Sequence, residues 1–202
     1  MKLLCGTTNE AKLNSIKRAV QPLGIHIMGL NDLDCAIPQV TETGTTLLEN
    51  ARIKANAYYE AFHMPVFSCD SGLYFDEVRE DQQPGIYVRR VQGRELSDEE
   101  MIAYYGALAR QYGGTLTARY RNAICLILDE TTSYESMDLS LTTEPFLLVS
   151  QPHPRRVEGF PLDALSKDIK SGIYYYDMQE KDVSSGLENG VQRFFAQALK
   201  GR

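Results

Sequence analysis

The chain has 202 residues, 21 Lys and Arg against 27 Asp and Glu for a formal net charge of −6, and 43% hydrophobic residues. This is ordinary globular composition, enough for one domain or two closely packed lobes with a sizeable core. No apolar run approaches the ~18 residues of a membrane span. The start, Met1 to Gly6, is too short an apolar stretch for an export signal. An acidic chain also lacks the basic footprint of a duplex-binding protein. Any dealing with a polyanion must rest on a few placed lysines, backbone N–H groups or a metal.

The hydrophobic pattern alternates between strands and helices. Lys2–Cys5 reads as a short buried strand, followed by Gly6-Thr7-Thr8-Asn9 and an amphipathic helix carrying Leu13, Ile16 and Val20. Ile25–Leu30 is a second strand, and residues 31–43 form a loop rich in Asp, Pro and Thr. Thr45–Phe62 is a strong helix with Leu47, Ala51, Ala55, Tyr58 and Phe62 at helical spacing. Pro65–Cys69 is a third strand, interrupted at Asp70-Ser71-Gly72 and continued by Leu73–Phe75. Ser97–Gln111 is a helix opened by a capping-box pattern, Ser97-Asp98-Glu99-Glu100. Leu116–Asp129 and Tyr134–Val149 predict paired antiparallel strands, Ile173–Tyr176 a short aromatic strand, and Gly186–Leu199 a closing helix. The reading is a mixed α/β protein without repeats or a clear linker.

The cysteines (Cys5, Cys35, Cys69, Cys125) form no C-x-x-C pair, which argues against a zinc or redox site. With no export signal, a cytoplasmic, reducing setting is expected. His26, His63 and His153 show no metal-binding spacing.

Three clusters combine residue types that can do chemistry. In Leu3 to Lys12 a buried strand turns into a helix, which presents free N–H groups and the positive end of the helix dipole. Thr7, Thr8, Asn9 and Lys12 there suit a phosphate, although Thr8 or Asn9 acting only as a helix cap explains the same residues. In Glu42 to Ala55, Asn50 and Lys54 are four apart and share one helix face, with Glu42 in the loop before them. Glu49 reads as an ordinary exposed helix charge. In Phe67 to Leu73, Asp70 follows a buried strand, where α/β proteins place ligands. A carboxylate there can hold Mg²⁺ or orient a water; the alternative is a plain Asp-Ser-Gly turn.

Together these clusters closely resemble the inosine triphosphate pyrophosphatase family, which hydrolyses non-canonical purine nucleoside triphosphates. The family runs T-x-N-x-x-K, E-T-G-x-T-x-x-E-N-A-x-x-K-A, D-S-G-L and P-G-I-Y-x-x-R. This sequence has Thr7 to Lys12, Glu42 to Ala55, Asp70 to Leu73 and Pro84 to Arg90 in the same order. The resemblance implies a mixed, twisted sheet in an elongated two-lobed fold, one domain over residues 1–202, with a central substrate cleft. A homodimer is implied as well. It implies Mg²⁺-dependent hydrolysis of dITP-, ITP- or XTP-like substrates to nucleoside monophosphate and pyrophosphate. Thr7, Thr8, Asn9 and Lys12 would cradle the triphosphate, and Lys54 would add positive charge. Glu42 and Asp70 would hold the metal, Asp70 would be the general base, and Ser71 would contact substrate. The alternatives are a pyrophosphatase for a different nucleotide, or a nucleotide-binding homologue with weak catalysis.

The sequence departs from the family pattern in three places. The family has two acids before Ser-Gly, whereas here the first is Cys69. The base-pocket segment G-F-G-Y-D-P reads Gly159-Phe160-Pro161-Leu162-Asp163-Ala164, which keeps Asp163 and Phe160, to stack on a base or to pack in the core, and replaces the second aromatic with Leu162. The family's K-x-x-x-S-H-R aligns with Lys181 and Ser185, a proposed helix cap, but places Gly186 and Leu187 where the base-reading His and Arg stand. Phe160, Asp163 and Lys181 therefore complete the expected substrate contacts, and the base reader is changed.

Overall fold

In a computed structural model, residues 1–179 and 186–201 are described. They form a seven-stranded mixed sheet with helices. The strands are β1 (Lys2–Cys5), β2 (His26–Gly29), β3 (Val66–Phe75), a small hairpin of β4 (Arg90–Val91) and β5 (Arg94–Glu95), β6 (Thr115–Asp129), β7 (Thr132–Ser136), β8 (Phe146–Val149) and β9 (Ser166–Asp168). The helices are α1 (Glu10–Val20), α2 (Leu47–Phe62), α3 (Asp98–Gln111) and α4 (Gly186–Ala198). The main sheet runs β2-β1-β3-β6-β8-β9, with β7 also on β6. β1 is parallel to β2 and β3, and β6 is antiparallel to β7 and β8.

Two compact units divide the chain. The first holds Met1–Ser71, Arg121–Thr142 and Ser185–Arg202. Its core gathers Leu3, Val20, Phe67, Leu126 and Phe195, and the Phe67 and Phe195 rings meet edge to face at 5.0 Å. The near-continuous apolar run of β1 is what a strand covered on both faces requires. The second unit holds Gly72–Tyr120 and Thr143–Ser184, with a core of Leu73, Tyr105, Leu116, Phe146, Leu148 and Leu165. Within it, Leu73 and Gly85 exchange backbone hydrogen bonds at 3.0 Å. A Cβ on Gly72 would come within 2.8 Å of the Gly85 carbonyl oxygen, so this approach needs glycine. Arg89 donates to the Leu96 carbonyl and to Asp98, closing the start of α3. The Pro84–Arg90 motif is thus accounted for by packing and hydrogen bonding inside this unit.

Most expected elements form. The third strand is not interrupted at Asp70-Ser71-Gly72 as expected, since β3 runs unbroken from Val66 to Phe75. The other exceptions have local causes. The expected strand Tyr134–Val149 is two strands. Asp138 accepts hydrogen bonds from the Ser140 N–H and hydroxyl, which stabilises a 3₁₀ turn over Leu139–Leu141 and buries Leu141. The expected strand Ile173–Tyr176 reduces to one bridge, Lys167↔Tyr174, followed by a 3₁₀ turn over Tyr175–Asp177. α3 begins as expected, with reciprocal Ser97–Glu100 capping bonds. The Ser185 cap and Lys181 lie outside the described residues. No described helix is long and apolar enough to cross a membrane.

Candidate active site

The first cluster starts where β1 ends. Gly6 donates to the Phe67 carbonyl at 2.8 Å, and a Cβ there would sit 2.2 Å from Ser68 Oγ and 2.6 Å from the Tyr58 ring. Only glycine allows the chain to turn at this point. Asn9 then caps α1, its Oδ1 accepting from the Lys12 N–H at 3.0 Å, while Thr7 Oγ1 accepts from the Asn9 N–H at 3.2 Å. Helix capping therefore uses oxygens of Thr7 and Asn9, and Thr8 stays exposed. The Lys12 side chain runs to Ser71, donating from Nζ to Oγ at 3.1 Å. Burial lowers its pKa, the nearby Lys54 charge lowers it further, and Asp70 opposes both.

The second cluster is built by the cap of α2. Thr46 and Glu49 form a reciprocal capping box, and Glu49 also accepts from the Thr45 N–H and hydroxyl. Those hydrogen bonds, led by the Thr45 N–H, hold the Glu49 carboxyl below its ordinary pKa. Glu49, read from the sequence as a plain surface charge, is a structural cap. One residue on, Asn50 accepts from the Gly44 N–H at 2.9 Å and donates from Nδ2 to Asp70 Oδ2 at 3.4 Å. A Cβ on Gly44 would lie 2.6 Å from Asn50 Oδ1, so glycine lets the loop bearing Glu42 wrap this helix end.

Lys54, one turn beyond Asn50, gathers the carboxylates. Its Nζ lies 2.9 Å from Asp70 Oδ1 and 3.1 Å from Glu42 Oε1. The side chains of Lys54 and Asp70 are only 14% and 11% exposed. Burial pulls the Lys54 pKa down, but Asp70 and Glu42 together outweigh it and the net shift is upward. Glu42, Lys54 and Asp70 thus form one paired cluster, and the Lys12–Ser71 contact starts at the next residue of β3. Cys69, standing where the family pattern has an acid, is a neutral thiol, because burial pushes its pKa up to about 11.

With Lys12, the cluster sets two carboxylates against two ammonium groups and is close to charge-neutral. A triphosphate would bring several negative charges with no spare cation to meet them. Two hard oxygen donors sharing one ammonium are the donor set a divalent cation such as Mg²⁺ takes from protein, the rest of its shell coming from water and phosphate. Among the described residues no group of three or more His, Cys, Asp or Glu gathers to hold a metal alone, and Mg²⁺ does not demand one. The residues therefore fit the ion.

Sequence reasoning missed Asn122. Its Oδ1 accepts from the Ser71 hydroxyl at 2.6 Å, and its Nδ2 donates to the Leu141 carbonyl at 2.7 Å. The available signal was a polar side chain immediately before the buried apolar run Ala123 to Leu128 of β6.

In the second unit, Phe160 is half-buried and leads into the 3₁₀ turn Pro161–Leu165. Asp163 lies in that turn among Tyr120, Tyr175 and Tyr176, whose pKa values are all raised, first by burial and also by its charge. Burial alone pushes the Asp163 carboxyl up to about 6. His153, expected to carry no chemistry, sits 3.2 Å from Asp177 and against the Tyr174 and Tyr176 rings.

The parallel β1–β3 pair, with polar groups at the carboxyl end of β1 and within β3, defines an α/β protein with a cluster of paired charges. A sequence model of the Ham1 family matches residues 3–141, and the chain belongs to that family. The match contains the whole Glu42–Lys54–Asp70 cluster; Phe160 and Asp163 lie beyond it. The chain is 36% identical over 166 residues to a dITP/XTP pyrophosphatase of Exiguobacterium sp., covering 82% of this chain and 79% of that one. It is 31% identical over 207 residues to the dITP/XTP pyrophosphatase of Bacillus licheniformis, covering 98% and 94%. The fold is similar to that of a HAM1 protein from Coxiella burnetii, with a TM-score of 0.73 at 19% identity over both whole chains. The Staphylococcus aureus Ham1 protein gives 0.68 at 22% identity, covering 98% of this chain and 99% of that one.

Proposed function

We propose that the chain is a pyrophosphatase for non-canonical purine nucleoside triphosphates of the dITP/XTP type, releasing pyrophosphate and a nucleoside monophosphate. The observation that carries this reading is the joint pairing of Glu42 and Asp70 with Lys54, with Lys12 bonded to Ser71, the next residue along β3. The names of the two relatives at 36% and 31% identity support the same substrate class.

In this reading Lys12 and Lys54 meet phosphate oxygens as point charges, and Thr7, Thr8, Asn9 and the N-terminal N–H groups of α1 line the same anion. Glu42 and Asp70 hold Mg²⁺. When bound, the ion neutralises phosphate charge and makes water a better nucleophile. Asp70 is the general base, taking the proton of the attacking water at a carboxylate oxygen. Asn50 and Lys54, each bonded to a different oxygen of Asp70, fix its orientation. Phe160, Asp163 and Lys181 take the base, with Phe160 stacking. The whole chain acts as one domain, cytoplasmic and homodimeric.

The test is a panel of dITP, XTP, ITP, ATP and GTP with Mg²⁺, reading pyrophosphate against phosphate. Pyrophosphate from dITP or XTP in preference to ATP is expected. Turnover of a different nucleotide would move the assignment to that substrate, and binding without turnover would remove it.

A further inference from the structure

We propose that Asn122 is a positioning residue for Lys12, acting through the Ser71 hydroxyl; the proposal rests on the function proposed above. Three successive hydrogen bonds have a fixed polarity. The isolated bridge Arg121↔Thr142 brings the Leu141 carbonyl beside Asn122. A carbonyl can only accept, so the amide NH₂ of Asn122 must face it, at 2.7 Å. The amide oxygen is then committed to the opposite side, 2.6 Å from Ser71 Oγ, and that oxygen can also only accept. Ser71 must therefore spend its single proton on Asn122.

What remains on Ser71 Oγ is lone-pair density, and the Lys12 ammonium lies 3.1 Å away with donors only. The chain has one permitted direction, from Lys12 to Ser71 to Asn122 to Leu141. Its consequence differs from the expectation that Ser71 contacts substrate. With its proton held by Asn122, Ser71 has none to give a phosphate oxygen, and it serves as a fixed acceptor for Lys12. One N–H of Lys12 is used and two remain to meet an anion. Without Asn122 the Ser71 hydroxyl rotates freely, and the long Lys12 side chain must be ordered when the anion binds. That cost falls on binding, so KM should carry it.

The experiment compares Ser71→Ala, Asn122→Ala and the double variant with the wild-type protein. Two quantities are read: steady-state hydrolysis of dITP with Mg²⁺, and calorimetric binding of inorganic tripolyphosphate with Mg²⁺. Asn122→Ala should raise KM and the tripolyphosphate Kd about tenfold, the scale of one hydrogen bond to a charged group, while kcat changes less than about threefold. The double variant should bind no worse than Ser71→Ala alone, because both substitutions break one chain. Asn122→Leu, which fills the space without an acceptor, should repeat the result and replaces the alanine variant if that fails to fold. Unchanged KM and Kd, or effects that multiply in the double variant, overturn the proposal. If wild type turns over no nucleotide yet binds tripolyphosphate, the functional reading falls and the binding comparison still decides the role of Asn122. Absence of both activity and binding overturns both.

Discussion

Asp70 in the first unit and Asp163 in the second are enclosed in opposite ways. In the first, Glu42 and Asp70 face Lys54, Lys12 reaches Ser71, and Asn50 ties Asp70 to the loop before α2. In the second, Asp163 sits in a shell of tyrosines and is pushed up to about 6 by burial alone. A cluster of mutually paired charges is pre-set for one task, since each group is oriented before a ligand arrives. A half-buried carboxyl raised only by desolvation waits for a donor. In the sequence the Thr7–Lys12 and Glu42–Ala55 motifs fall wholly in the first unit, while the altered segment Gly159–Ala164, with Leu162 in place of an aromatic, falls in the second.

Breaking the first region should cost most. Asp70→Asn removes the proposed base and a metal oxygen with almost no change in shape. It should lower kcat for dITP about 10³-fold in a pyrophosphate-release assay, within the range of general-base catalysis. Lys54→Met leaves Glu42 and Asp70 without their shared counter-charge. Both carboxylates are largely enclosed, so unfolding in denaturant should show a loss of about 3 kcal/mol, together with a fall in kcat/KM.

The second region should respond to pH instead. The Asp163 pKa is raised from the ordinary 3.8 to about 6, so the folded chain holds this proton more tightly than the unfolded chain does. Stability from this group is therefore fully present below about pH 4 and is lost as pH rises toward 6. Asp163→Asn should flatten that part of the stability profile and raise the melting temperature at pH 7.5. The smallest effect is expected at the cap of α2. Thr46→Ala should lower stability by about 1 kcal/mol in a denaturant titration while leaving kcat unchanged, which would separate the motif's structural residues from its chemical ones.

Much of the first region was legible because its logic is local. The Thr46–Glu49 and Ser97–Glu100 caps are written three residues apart, and Asn50 and Lys54 share a face because they are four apart. Asp70 was legible as a carboxylate joined to a buried run, but its expected place beyond the strand was wrong, because β3 continues through it to Phe75. The use of Glu49 as a cap was hidden because a capping carboxylate and a solvated one look alike in sequence. Asn122 was hidden for another reason: its partners are 51 and 19 residues away, and nothing local announces them. The break between β7 and β8 was also hidden, because the alternating pattern continues through the turn that Asp138 stabilises.

The central claim is that a nearly neutral cluster binds a triphosphate only when a divalent cation joins Glu42 and Asp70. Calorimetry with the non-hydrolysable α,β-methylene analogue of dITP, with and without Mg²⁺, tests it most directly. The account predicts tight binding with Mg²⁺, little without it, and loss of that difference in Asp70→Asn. Equal affinity with and without Mg²⁺ in the wild-type protein would contradict it.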